Sequence, residues 1–462
     1  MKNIKKFLTL LTIVLFVSCT TEVVKYIYID PTTGEQISPD KLPNYGNNSD
    51  KPSQKPDETP TDDPTDDPSD KPSDNPSDDP SDDPVNPTEY IRTTSSTVTL
   101  PKCPENTKFD MIAISFTDGR ASDEIILGEE TYCKKSSAPY NDSTYRTDIK
   151  PFKMSKYMVS YNTWYYVYQW AIKNGYQFIN KGCEGMYAKG IDAGASYKFN
   201  EGGIPQVEEM PAAGMSWRDT IIWCNALSQM LGLQPVYCSD AAFTTPLKDS
   251  TQSTTVFADT NWDKTPGKID NPYVNPKANG YRLPYTAEWE YAARKKPDGT
   301  CIQGRNIPGD ESGSFYDFDD TDKANGFNFV KSTAVGNYMW YRYNAKDSGG
   351  TTASGKDDSN ATIHSKLSAY SDKACAYKQG SNRTHLSGGK KPSHLGFYDL
   401  SGNLCEWMFE YHIQYGSIIK FAPKRECRGT DFITTTNWTS SGERGAFFPL
   451  DSGLGFRICQ NN

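Results

Sequence analysis

Three observations predict an α+β fold for the chain beyond about Tyr90. Two segments repeat apolar residues at helical spacing, and a third stretch after Pro284 begins like a helix. Short runs such as Met111 to Phe116 alternate in the manner of strands, and much of the remainder is irregular. About 370 residues of aromatic, mixed composition follow Tyr90, enough for a large core or for an ordinary core with long surface insertions.

The elements follow in order. In the first helix Trp164, Val167, Tyr168 and Ala171 recur at i, i+3, i+4 and i+7, and Gly175 can close it in a left-handed conformation. The second begins at Ser216, whose hydroxyl can accept from the amide three residues on, with Asp219 facing the positive helix end. Ile221, Cys224, Leu227 and Leu231 share its apolar face, and Gly232 ends it. The third covers Thr286 to Lys295; Tyr285 cannot cap, so Thr286 is expected to take that role. Residues 239–279 and 302–390, rich in Asp, Ser, Thr, Asn and Gly, read as insertions.

The N-terminal region has a different character. Lys2, Lys5 and Lys6 precede an apolar run from Phe7 to Val17, too short to span a bilayer and laid out as a secretory signal peptide over residues 1–18. Ser18-Cys19 looks like a bacterial lipobox, which makes Cys19 the lipidation site and 19–49 the anchored segment; an ordinary signal peptide with a stray cysteine is the alternative. From Pro52 to Pro84 a proline falls at every fourth position, and residues 50–84 carry a net charge of −10 against −9 for the whole chain. The repeat from Pro52 to Pro84 holds no apolar residue and has nothing to bury, so 50–88 is expected to be a disordered linker, its residues 50–84 reaching roughly 100 Å as a stalk or a passive spacer. The chain outside that linker sums to about neutral, so its acidity does not point to a cationic substrate. The globular domain is then 89–462, and the expected location is outside the cytoplasm, lipid-anchored to the bacterial envelope at the outer membrane or cell surface.

Ten cysteines follow Cys19, an even count that favours disulfides over zinc in an exported protein, and none are spaced as C-x-x-C. Asp399-Leu-Ser-Gly-Asn-Leu-Cys-Glu406 places two carboxylates, an asparagine and several turn carbonyls within eight residues, the hard oxygen donors that calcium needs; a turn held by hydrogen bonds alone is the other reading. No phosphate loop, nucleophile triad or basic nucleic-acid patch occurs, so nucleic acid is not an expected partner.

Gly280-Tyr-Arg-Leu-Pro-Tyr-Thr-Ala-Glu-Trp289, Leu395 to Trp407, and Arg428-Gly-Thr through Gly455-Phe-Arg457 together resemble the formylglycine-generating enzyme family, or sulfatase-modifying factors. That resemblance implies a C-type-lectin-like fold. It implies a structural calcium held by the Asp399 side chain, the Gly402 and Leu404 carbonyls and the Glu406 carboxylate, and a Cys224–Cys459 disulfide, although here the second cysteine stands one residue later than in the family. Arg282, Glu288 and Trp289 read as structural packing. Catalytic members oxidise a target cysteine with dioxygen through copper(I) on two thiolates, and those positions are Thr434 and Thr439 here. Hydroxyls bind cuprous ion poorly, so copper is not expected, and no cysteine lies between Cys427 and Cys459. Thr434, Asn437, Trp438, Thr439, Phe447 and Phe448 are instead candidate contacts for a protein or glycan ligand; aromatics that fill the core under a silent loop are the other reading. A catalytically silent binding module, a formylglycine-generating oxidase and a structural subunit of an envelope complex remain as alternatives.

Overall fold

The computed structural model describes residues 89–104, 107–128, 145–188, 196–251, 265–314, 332–342, 344–345, 382–411, 424–433, 441–442, 444–447 and 453–461, together with the strand backbones at 12–13, 27–29 and 36–37. The chain divides into two units, Met1–Pro84 and Val85–Asn462. In the first, the three short strands pair antiparallel in chain order. Cys19 and the expected linker at 50–88 lie outside the described residues.

The second unit is built on a five-stranded antiparallel sheet. Its strands are β1 (Ile91–Thr99), β2 (Lys108–Phe116), β3 (Phe152–Ser155), β4 (Tyr281–Arg282) and β8 (Cys459–Asn461), ordered β4-β8-β3-β2-β1. The C-terminal strand therefore lies inside the sheet, with Cys459 opposite both Met154 and Arg282. A second sheet, β5 (Glu406–Tyr411), β6 (Arg425–Arg428) and β7 (Gly445–Phe447), is also antiparallel with β6 central.

Alternation along β2 assigns its two faces. Met111 joins the core cluster formed with helices α1 (Tyr161–Lys173) and α2 (Trp217–Met230). Ile112 and Ile114 join a second cluster with α3 (Thr286–Arg294). The period-two pattern of a strand and the 3.6 period of the helices thus meet in two apolar layers. Between α1 and α2, Trp164 and Trp223 stack at 5.6 Å, and Phe456 meets both edge-on at 5.8 and 5.3 Å.

Helix α1 starts at Ser160, whose hydroxyl accepts from Thr163 N at 3.2 Å, and Gly175 follows its end with φ 83°. Helix α2 has the expected reciprocal cap: Ser216 Oγ accepts from Asp219 N at 3.2 Å, and Asp219 Oδ2 accepts from Ser216 N at 3.0 Å. Helix α3 corrects the expectation for Thr286. Thr286 is the first helical residue, and its N–H donates to both oxygens of Glu410, at 2.9 and 3.0 Å, so the cap comes from β5. Glu288 supplies a further local link by accepting from Tyr285 N at 2.9 Å.

The cysteines also depart from expectation. Cys103, Cys183, Cys224, Cys238, Cys301, Cys405, Cys427 and Cys459 are all free thiols. Cys224 belongs to the cluster of α1 and α2 and Cys459 to that of α3, so the disulfide implied by the resemblance is not formed. Cys133 and Cys375 lie outside the described residues. No helix among the described residues is long and apolar enough to cross a membrane.

Candidate functional site

The segment from Asp399 to Glu406 folds as a tight loop because three of its residues adopt left-handed conformations: Asp399 (φ 52°), Gly402 (φ 79°) and Asn403 (φ 61°). At Gly402 the requirement is also steric, since a Cβ there would lie 2.3 Å from the Trp340 carbonyl oxygen. Asn403 fastens the loop to its neighbour by pairing with the backbone of His385, accepting from its N and donating to its O, both at 2.9 Å. The His385 ring stacks on Trp340 at 3.8 Å, which assigns His385 to packing. His394 pairs with Glu311 at 2.7 Å.

The loop's two carboxylates have different surroundings. Asp399 Oδ2 accepts from Gly388 N at 2.7 Å, whereas Oδ1 is buried without a hydrogen-bond partner. Burial pushes the Asp399 carboxyl up to about 6, against the opposing pull of Gly388 N–H and Arg457. Glu406 is fully buried and accepts from Arg457 Nε and Nη2 at 2.6 and 2.8 Å. Arg457 further donates to the carbonyls of Ser155 at 3.1 Å and Tyr398 at 2.8 Å.

The donor set therefore fits calcium in part. Asp399 offers a bare, buried oxygen. Glu406 faces a guanidinium that already supplies a compensating positive charge, and ligation by Glu406 requires that pair to open. Among the described residues no group of three or more His, Cys, Asp or Glu side chains is gathered to hold a metal. Gly402 and Leu404 flank Asn403 within the same buried loop.

Below this loop, a second charge network ties β6 to α3. Glu290 accepts from Arg428 at 2.6 Å, from Arg294 at 2.5 Å and from Gly128 N at 2.8 Å. Burial alone would raise the Glu290 carboxyl, but Arg428 and Arg294 outweigh it and hold it below its ordinary value. Arg425, two residues before Cys427 on β6, is sandwiched between Trp217 and Tyr411 at 3.5 and 3.6 Å from the ring centroids. It donates to the Asp270 carbonyl at 2.5 Å, and burial lowers its guanidinium to about 10. Arg282 forms a bidentate pair with Glu288 at 2.7 and 2.6 Å, and Trp289 is fully buried, so this motif is packing as expected.

Phe447 ends the edge strand β7 of the second sheet, on the same side as the buried Arg425 and Cys427. It sits on β7 opposite Arg425, is 38 % exposed, and meets the buried Trp407 ring edge-on at 6.3 Å. Thr434, Asn437, Trp438, Thr439 and Phe448 lie outside the described residues, so Phe447 alone of the candidate ligand contacts has a described position.

Among the described residues, cavities also lie beyond this face. One, of about 370 Å³, is bounded by Lys108–Asp110, the start of α1, Glu208, Glu209 and Gly388. Another, of about 590 Å³, is walled by Arg282, Tyr285, Glu288, Glu410 and Asn461. Glu410 was not legible as a special residue. Burial, then the neighbouring Glu426 charge, push its carboxyl up to about 8 despite the Thr286 N–H that it accepts.

A family model described as the sulfatase-modifying factor enzyme 1-like domain matches residues 125–462. Over 293 residues the chain is 26% identical to a Paenibacillus barcinonensis protein named chaperone protein LppX, covering 63% of this chain and 72% of that one. Similar solved structures include Treponema denticola variable protein 1, with TM-score 0.45, 20% identity and coverage of 80% of this chain and 99% of that one. PvdO from Pseudomonas aeruginosa has TM-score 0.40, 15% identity and coverage of 79% and 98%.

Proposed function

We propose that this chain, which belongs to the sulfatase-modifying factor family and has its C-type-lectin-like α+β fold, is an exported, lipid-anchored binding module that holds a polypeptide on its C-terminal face without oxidising it. The observation that carries the reading is the absence of any cysteine between Cys427 and Cys459, where the catalytic members' copper-binding thiolates would fall. Thr434 and Thr439 offer hydroxyls in their place, and hydroxyls do not hold cuprous ion.

Three further features support a polypeptide ligand. Phe447 presents an exposed ring braced on Trp407, the form of a contact that adds apolar area at small entropic cost. Among the described residues β7 is one of the two edge strands of its sheet, a position at which an extended chain can add main-chain hydrogen bonds. The Paenibacillus relative is named a chaperone protein. Export and anchoring rest on the N-terminal lysines, apolar run and Ser18-Cys19, with Cys19 as the acylated residue. Calcium, by the same resemblance, would bind at the Asp399 oxygen and the Gly402 and Leu404 carbonyls and would hold the loop's shape.

The test is suppression of aggregation of heat-unfolded citrate synthase by the full-length protein. Slowed aggregation that is lost in Phe447→Ser supports the reading. No effect of the wild-type protein, or an equal effect of both proteins, overturns the assignment of a polypeptide ligand to this face. Retention on immobilised glycans with no effect on citrate synthase would transfer the assignment to a glycan.

A further inference from the structure

Most of the described cysteines are isolated within their own packing environments. Cys183, for example, donates to the Gly185 carbonyl at 3.2 Å. Cys405 and Cys427 differ because the second sheet brings them together. The antiparallel register places Glu406 opposite Arg428 and Trp407 opposite Cys427. Cys405, immediately before β5, therefore lies diagonally across from Cys427 on the same face of the two strands. Cys405 Sγ donates to the carbonyl of Arg428, the residue next to Cys427, at 3.3 Å, and the Cys427 thiol is near enough to help raise the Cys405 thiol above its ordinary value.

The surroundings keep the sulfurs in that relation. Both residues belong to the core cluster of α1 and α2, at 9% and 1% exposure. Across β6 from Cys427 stands Gly445, where a Cβ would lie 2.6 Å from Cys427 Sγ, so the absence of a side chain leaves room for the sulfur. Each cysteine directly adjoins one member of a buried ion pair: Cys405 precedes Glu406, bound to Arg457, and Cys427 precedes Arg428, bound to Glu290.

We propose that Cys405 and Cys427 are the disulfide-forming pair of this domain, closing a cross-strand bond that clamps β5 to β6 between the two buried ion pairs. The biological setting rests on the export reading, because disulfides form and persist in oxidising compartments. The chemistry itself does not depend on that reading. One thiolate attacks a disulfide of a small-molecule or protein thiol oxidant and releases one reduced thiol. The second cysteine then attacks the mixed disulfide and releases the other. One S–S bond forms and one breaks; the pair loses two electrons and two protons, and the oxidant gains them as two thiols. In the finished fold the Cys405 thiol is held well above its ordinary value, by burial first and the Cys427 thiol second, so thiolate is scarce. The bond accordingly forms while the sheet is assembling.

The experiment refolds the reduced, denatured full-length protein in oxidised and reduced glutathione, alkylates the remaining thiols under denaturing conditions and maps the peptides by mass spectrometry without reduction. The expected product joins the peptides of Cys405 and Cys427, and in Cys405→Ser the Cys427 peptide becomes alkylated. Alkylation of both residues in the wild-type protein, or a bond from either to another cysteine such as Cys459, overturns the proposal. A second measurement does not require the single variant to fold. Reductant should lower the melting temperature of the oxidised wild-type protein and leave that of Cys405→Ser/Cys427→Ser unchanged; an equal drop in both overturns it. Because refolding supplies its own oxidant, failure of export leaves this result intact.

Discussion

Replacing Glu406 by glutamine tests whether the C-terminal loop is held by an ion pair or by calcium. Both side chains of the Glu406–Arg457 pair are 0% exposed, and the pair is bidentate at 2.6 and 2.8 Å. Removing the carboxylate charge leaves the Arg457 guanidinium buried without its counter-charge, a change that costs about 3–5 kcal/mol. Arg457 retains the Ser155 and Tyr398 carbonyls as acceptors, which places the expectation at the lower end of that range. With an unfolding entropy of about 2 cal/mol/K per residue over the folded domain, 3 kcal/mol corresponds to a fall in melting temperature of about 4 °C. The assay is scanning calorimetry of wild type and Glu406→Gln, each in calcium and in chelator. An equal fall in both media is expected. A fall in calcium, with wild type and variant melting together in chelator, would refute the ion-pair assignment and make Glu406 a calcium ligand. The double variant Glu406→Gln/Arg457→Met should recover part of the loss, because the stranded charge is gone.

Three further outcomes are expected. Glu410 is protonated in the fold up to about pH 8, whereas in the unfolded chain it ionises near the ordinary glutamate value of 4.5. Stability should therefore fall as pH rises through that window, with a slope of up to about 1.4 kcal/mol per pH unit, and Glu410→Gln should remove this component; identical urea midpoints against pH in both proteins would contradict it. Gly402→Ala places a Cβ against the Trp340 carbonyl at a φ of 79°, so its urea midpoint should show a loss of more than about 1 kcal/mol, and an unchanged midpoint would show that the loop can rearrange. Phe447→Ser removes an exposed ring, so melting should change by less than the equivalent of about 1 kcal/mol while suppression of citrate synthase aggregation is lost.

What could be read in advance divides according to the range of the physics involved. Helices α1 and α2 were legible because their periodicity and Ser caps are local: Trp164, Val167 and Ala171 are fully buried, and Ser216 and Asp219 form the reciprocal cap. The start of α3 was misassigned because its cap comes from Glu410, 124 residues away, which no local pattern reports. The same limit applies to the loop. Its sharp turns could be anticipated from Gly402 and Asn403, but the partner of Glu406 lies 51 residues on, at the end of the chain. Oxygen donors close together in sequence suggest a cation, and the one that meets Glu406 is a guanidinium. Cysteine counting favoured disulfides, whereas the described cysteines are free thiols, and the placing of Cys405 diagonally from Cys427 depends on the register of β5 with β6. Phe447 could be selected from composition, whereas its brace on Trp407 required the sheet.

Incubating the full-length protein with copper(I), dioxygen and a cysteine-containing sulfatase peptide, then weighing the peptide, decides whether the C-terminal face binds without oxidising cysteine. The expected peptide mass is unchanged, with its cysteine still open to alkylation. Conversion of that cysteine to formylglycine, abolished on removal of copper, would contradict the claim and place an oxidase site on this chain.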